Sequence, residues 1–126
     1  MDTGQRFLQG VFAFRGRGRA DPVPLDTDLR YVVPDGRSAQ PGYFRGRNDS
    51  GALIYIVLVR DGTAMRHFPI AAGGEVRVPL RVVEDLPGGT TIELHIAAPV
   101  GLTGSVMIDL GLAEVPAETC AGTTSA

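Results

Sequence analysis

Twice in this chain a phenylalanine is followed by Arg-Gly-Arg, at 14–17 in VFAFRGRGRADP and at 44–47 in PGYFRGRNDSG. A guanidinium is a planar fork of donors that grips a carboxylate or phosphate through two parallel hydrogen bonds. Arg15, Arg17 and Arg19 from the first copy, with Arg45 and Arg47 from the second, are therefore the candidate contacts for an anion or an acidic partner surface. In each copy the pattern fits a strand end: Phe inward, arginines outward, and a glycine that permits a bend. If both copies reached the same pole of the fold, the five arginines would share one cationic rim. The competing reading is solvated loop arginines screened by Asp21 and Asp49. A thirty-residue shift aligns the two copies but almost nothing between them, so no duplication is assigned.

Other chemistry is sparse. Met65, His67, His95 and Met107 would suit copper(I) if they converged, although their spacing matches no metal motif. Asp21, Asp26, Asp28 and Asp35 offer hard oxygen ligands, but the closing Glu of a calcium loop is missing, and Asp belongs in loops for local hydrogen-bonding reasons. Cys120 has no neighbouring His to activate it. None of Ser38, Ser50, Ser105 and Ser125 sits in a G-x-S-x-G elbow, and GRGRAD is neither a phosphate loop nor a dinucleotide fingerprint. Glu93 and Asp109 could meet as a carboxylate pair only if their strands were adjacent. Tyr31, Tyr43, Phe44 and Tyr55 are candidate stacking rings, of which 43 and 44 must face opposite ways. No catalytic, cofactor or metal site is assigned.

Composition narrows the class. The chain has 126 residues, enough for one domain with its own core and no staples. A single cysteine excludes an internal disulfide. All twelve basic residues are arginine. Residues 1–47 carry eight of them against five aspartates, and residues 48–126 carry four against nine acids, for a net charge of −2. That balance disfavours nonspecific nucleic-acid binding. No export signal is visible in MDTGQRFLQGVFAF, and the longest apolar run, ALIYIVLV (52–59), is too short for a helical membrane span. These features lead to the expectation of a cytoplasmic protein with no membrane contact.

The elements that must position these residues are strands. Val76, Val78, Leu80 and Val82 alternate with Arg77, Pro79 and Arg81. Ile92, Leu94 and Ile96 alternate with Glu93 and His95, and Val106, Ile108, Leu110 and Leu112 with Met107 and Asp109. The three segments predict an antiparallel meander or part of a Greek key, with Glu93 and His95 beside Arg77 and Arg81 across the ladder. ALIYIVLVR is apolar on both parities and predicts a central strand. Asp61-Gly62 predicts a two-residue hairpin turn, with TAMRHFPI (63–70) returning. RFLQGVFAF (6–14), LRYVV (29–33) and GYFRGR (42–47) supply three more strands, separated by turn-rich stretches that include PDGRSAQPG (34–42). Pro79 places its strand at an edge or a bulge. The stretch RVVEDLPGGTTIELHIAAP (81–99) resembles the strand–corner–strand of fibronectin-type sandwiches, without their corner tyrosine.

The predicted fold is all-β: an antiparallel β-sandwich, jelly-roll or immunoglobulin/fibronectin-like, of seven or eight strands with little or no helix. Residues 1–112 form the domain and 113–126 a polar C-terminal extension. The expected function is a non-catalytic binding or structural module, an accessory subunit that docks on itself or on a larger assembly through sheet edges, arginine-rich loops and terminal arms. The alternative is a sandwich that binds a carbohydrate or an anionic metabolite.

Overall fold

The computed structural model describes residues 4–80 and 85–117, which form ten strands and no helix. They are β1 (Gly4–Arg15), β2 (Val23–Pro24), β3 (Arg30–Val32), β4 (Arg37–Asn48), β5 (Ile54–Arg60), β6 (Thr63–Ile70), β7 (Glu75–Pro79), β8 (Leu86–Pro87), β9 (Thr91–Ala97) and β10 (Thr103–Pro116). Sheet A has the order β1-β10-β4-β7, with β8 also on β4; sheet B has the order β2-β9-β5-β6, with β3 also on β9. All pairings are antiparallel. The two sheets face each other as a sandwich, and Cys120 and most of the tail lie outside the described residues.

Period-two patterning does most of this work. On β10, Val106, Ile108, Leu110 and Leu112 all point inward and are fully buried. Across the gap Ile92, Leu94 and Ile96 of β9 and Ile54, Ile56 and Leu58 of β5 complete one continuous core. Phe44 of sheet A stacks on Phe68 of sheet B with ring centroids 4.2 Å apart. Burying each such side chain contributes about 2 kcal/mol against the entropy of ordering the chain.

The hairpin at 60–63 forms as expected: Asp61 (φ 48°) and Gly62 (φ 83°) both take positive φ between β5 and β6. Pro79 ends β7, which pairs with β4 alone. Four expectations need correction. Of the two arrangements expected for the alternating segments, the meander is excluded, because β7 and β10 belong to sheet A and β9 to sheet B, and this alternation between sheets fits part of a Greek key. Glu93 and His95 therefore do not lie beside Arg77; Glu93 contacts Arg30 at 3.5 Å and His95 at 3.1 Å instead. Arg81 lies outside the described residues.

Residues 37–42 continue β4 rather than form a turn. A bulge at Gly42 lets Leu112 pair with Pro41 while Gly111 pairs with Tyr43. The extra residue reverses the parity, so Ala39 and Pro41 point inward on one side of it, and Phe44, Gly46 and Asn48 on the other. Fourth, β10 runs four residues beyond the boundary expected at 112.

Asn48 closes one end of the interior. It is fully buried, and its Nδ2 donates to the carbonyls of Ala52 (2.8 Å), Ile70 (3.0 Å) and Ala71 (3.2 Å). Its Oδ1 accepts from the Ser50 amide at 2.9 Å and the Ser50 hydroxyl at 2.6 Å. One amide thus ties the end of β4 to the segments that flank β5 and β6. Asn48→Ala leaves these groups without partners and is expected to lower unfolding free energy by about 3 kcal/mol. Urea denaturation checks it: the midpoint falls while the slope with denaturant stays the same.

Candidate functional site

The two Phe-Arg-Gly-Arg copies lie on β1 and β4, the strands that flank β10. Phe14 is opposite Gly104 and Phe44 opposite Leu110, six residues apart along β10. That offset is about 20 Å, so the five arginines do not share one rim. Each glycine has a packing reason. A methyl group on Gly16 would sit 1.9 Å from the Pro99 carbonyl oxygen, and one on Gly46 would sit 2.9 Å from the Phe44 ring. Arg19 donates to the Leu53 carbonyl through Nε (3.2 Å) and Nη2 (2.9 Å). Arg47 pairs with Asp49 at 3.3 Å. Arg15 and Arg17 are exposed and have no polar partner among the described residues.

Arg45 is placed differently, in the middle of the outer face of sheet A. The register aligns Gln9, Asp109, Arg45 and Arg77 in one row across β1, β10, β4 and β7. Asp109 is the hub. Its Oδ1 accepts from the Tyr43 hydroxyl at 2.9 Å and from Gln9 Nε2 at 3.4 Å, and its Oδ2 is 3.3 Å from Arg45 Nη2. Arg45 Nε is buried with no hydrogen-bond partner. Arg77, directly opposite Arg45, makes no ion pair among the described residues.

The next row is Phe7, Gly111, Tyr43 and Pro79. Tyr43 leans across β10: a methyl group on Gly111 would lie 2.2 Å from Tyr43 Cε2. One side of the ring rests on the glycine while the hydroxyl is held by Asp109. Desolvation, then the hydrogen bond and charge of Asp109, push the Tyr43 hydroxyl above the usual tyrosine range. Phe7, 50% exposed, flanks the same glycine from β1, and Val11, 64% exposed, stands four residues further along that strand. The result is an apolar shelf beside a row of guanidinium and amide groups.

Of the other stacking candidates, Phe44 is in the core, Tyr31 lies between the sheets, and Tyr55 packs with Val57, Val59 and Ala97 on the outside of sheet B. The remaining sequence candidates do not converge. Asp109 and Glu93 are on different sheets, which overturns their pairing. Met107 is on sheet A, whereas His67 and His95 are on sheet B with Val57 between them. Asp26 turns its carboxylate to the amide of Asp28 at 2.9 Å. A recess of about 950 Å³ with a mixed lining lies over Arg37, Ser38, Gln40 and Val115, where Gln40 is bonded to Asp85 at 3.0 Å.

One cluster was missed in the sequence. Glu114, 3% exposed, points inward from the end of β10. Its carboxylate accepts from the Tyr31 hydroxyl of sheet B and lies 3.3 Å from Arg6 Nη2 and 3.4 Å from Arg37 Nε. The strand continuing past Leu112 at the same parity was the clue available.

No family model matches the sequence, and no curated protein matches it. Solved structures do. A CBM36-1 domain, a carbohydrate-binding module of a multidomain xylanase from the hindgut metagenome of Trinervitermes trinervoides, superposes with a TM-score of 0.53. The identity is 14%, over 87% of this chain and 96% of that one. A chain of infectious bursal disease virus, Gx strain, gives 0.53 at 16% identity, over 91% of this chain and 33% of the viral chain. The T13 particle of that virus gives 0.51 at 16% identity, over 92% and 31%. This chain therefore spans about a third of the viral chains it matches. At these identities the likeness is one of fold, shared with β-sandwiches of binding and structural use.

Burial, followed by the hydrogen bond and charge of Glu114, raises the Tyr31 hydroxyl far above its ordinary value, with Arg6 and Arg37 opposing weakly. The unfolded chain ionises this tyrosine near pH 10 while the folded chain keeps its proton. The stabilisation is thus complete below about pH 10 and is lost as pH rises further. Denaturant melts from pH 8 to 11.5 should be flat and then fall. Tyr31→Phe should flatten the alkaline fall and lower stability at neutral pH by about 2 kcal/mol.

Proposed function

We propose that this protein is a non-catalytic binding and structural module that assembles with copies of itself along β1. The observation that carries this is a long, proline-free sheet edge with an exposed apolar middle. An edge strand offers a row of unpaired backbone donors and acceptors, and soluble proteins block such rows with proline, charge or shortness. Of the strands at sheet margins, β2 carries Pro24, β6 Pro69, β7 Pro79 and β8 Pro87, and β3 is three residues long. β1 has twelve residues and no proline; its two charges stand toward its ends, Arg6 drawn to Glu114 and Arg15 last in the strand, and Phe7 and Val11 are exposed between them. Among the described residues, nothing pairs with its free side.

Charge favours a second copy in the antiparallel sense. A two-fold axis at Gln9 sets Phe7 against Val11 of the second copy, and Val11 against its Phe7, so each apolar side chain is covered. The same axis sends the two Arg15 side chains to opposite ends of the joint strand, where they do not repel. The outer faces of both sheets A then form one surface. The particles described for the viral neighbours, which are assemblies of β-sandwich chains, support this reading in kind.

Sedimentation velocity over a range of concentrations tests it. The wild type should show a dimer that Val11→Glu converts to monomer, with thermal stability changed by no more than about 0.5 kcal/mol because the side chain is exposed. A wild type that stays monomeric at high concentration, or a Val11→Glu variant that still dimerises, would defeat the proposal.

A further inference from the structure

We infer that the outer face of sheet A binds an acidic polysaccharide, with a uronate ring on the Tyr43 shelf and its carboxylate between Arg45 and Arg77. The motive is a local rule broken on a surface where nothing in the core requires it. Like charges directly opposite on neighbouring strands destabilise a sheet. Arg45 and Arg77 nevertheless face each other on β4 and β7. Asp109 is the acid within reach of Arg45, and its two oxygens already serve Tyr43, Gln9 and Arg45. Arg45 Nε is left without an acceptor, and Arg77 has no ion-pair partner among the described residues. Departures of this kind mark functional positions. A planar anion lying over the two guanidinium groups would offset their repulsion and accept from their solvent-facing N–H donors, whereas Arg45 Nε is covered and lies out of its reach.

The shelf beside this pair defines the rest of the ligand. Tyr43 is pinned over Gly111 by its hydroxyl bond to Asp109, so its exposed side is preorganised and loses little entropy on contact. Phe7 extends the same apolar row, next to the row that ends in the guanidinium pair. The apolar C–H side of a pyranose pressed on the Tyr43 ring removes both surfaces from water. A uronate combines that ring with a carboxylate.

The face is open, and it covers one side of a ligand only. Affinity must then come from contact along an extended chain rather than from enclosure of a free monosaccharide. Charge density separates a polyuronate from single-stranded nucleic acid, which also stacks on aromatic rings. Nucleic acid requires a groove that neutralises successive phosphates. Here Asp109, Asp49 and Glu75 are interleaved with the arginines, and Glu75 lies opposite Arg47.

The guanidinium pair and Tyr43 do not depend on self-docking, since they lie on β4 and β7, away from the β1 edge; Phe7 alone belongs to both surfaces. The test is affinity electrophoresis and calorimetry of the intact chain with polygalacturonate, with its methyl-esterified form and with a single-stranded oligonucleotide. Polygalacturonate should bind, more weakly as salt rises, and esterification, which removes the charge and keeps the ring, should abolish binding. Arg77→Ala should weaken it roughly tenfold or more. Tyr43→Ala should do the same and Tyr43→Phe should retain most affinity, with circular dichroism confirming that each variant is folded. Val11→Glu should bind polygalacturonate as a single copy, so loss of dimerisation and loss of this site are read separately. The inference is overturned by no binding to polygalacturonate, by equal binding to the ester, by an Arg77→Ala variant with unchanged affinity, or by binding of the oligonucleotide alone.

Discussion

An apolar gap between two sheets must be closed at its ends by polar groups that satisfy one another, and this constraint organises the molecule. At one end Asn48 takes up the carbonyls of Ala52, Ile70 and Ala71. At the other Glu114 receives the Tyr31 hydroxyl from the opposite sheet and the guanidinium groups of Arg6 and Arg37. A carboxylate at 3% exposure is tolerable only with such partners. β10 links the two ends, since it pairs with β1 over twelve residues and with β4 over eleven. Its side chains run from Val106, opposite Asn48, through three more buried aliphatics to Glu114.

Fixing β10 in this way also fixes what the outside can do. The same alternation that buries Ile108 and Leu110 presents Met107, Asp109 and Gly111 outward. Gly111 has no side chain of its own, so Tyr43 can lie across it, and Asp109 can gather Gln9, Tyr43 and Arg45 into one network. Sheet B makes a different outer face. There Tyr55, Val57, Val59 and Ala97 pack among themselves, and His95 and Arg30 are both engaged by Glu93. The two faces therefore differ: on sheet B's these groups pair with one another, whereas sheet A's carries an unsatisfied guanidinium nitrogen and an exposed phenylalanine.

The alternating segments made the strands legible because one buried face imposes a period of two. They revealed β7, β9 and most of β10; β5 was legible from its unbroken apolar run and β6 from the Asp61-Gly62 turn, whose paired positive φ followed from residue type. Residues 37–42 were not legible. Pro41 and the polar run read as a turn, and the Gly42 bulge breaks the period at the point where the inward set changes from Ala39 and Pro41 to Phe44 and Gly46. Residues 113–116 were missed because a charged residue at an inward position looks like the end of a strand until its partners are known.

By itself the sequence determined that the chain is a β-sandwich, where most of its longer strands run, and that each Phe-Arg-Gly-Arg copy sends Phe inward and Arg outward. Those properties follow from local stereochemistry and hydrophobic period, which act over a few residues. The tertiary structure alone decided which strands are neighbours, and with that the fate of every side-chain pairing. Arg45 meets Arg77 and Asp109 rather than Arg15, and Glu114 meets Tyr31, 83 residues away. Such meetings depend on how strands are distributed between two sheets, and a pattern that repeats every second residue carries no record of that choice.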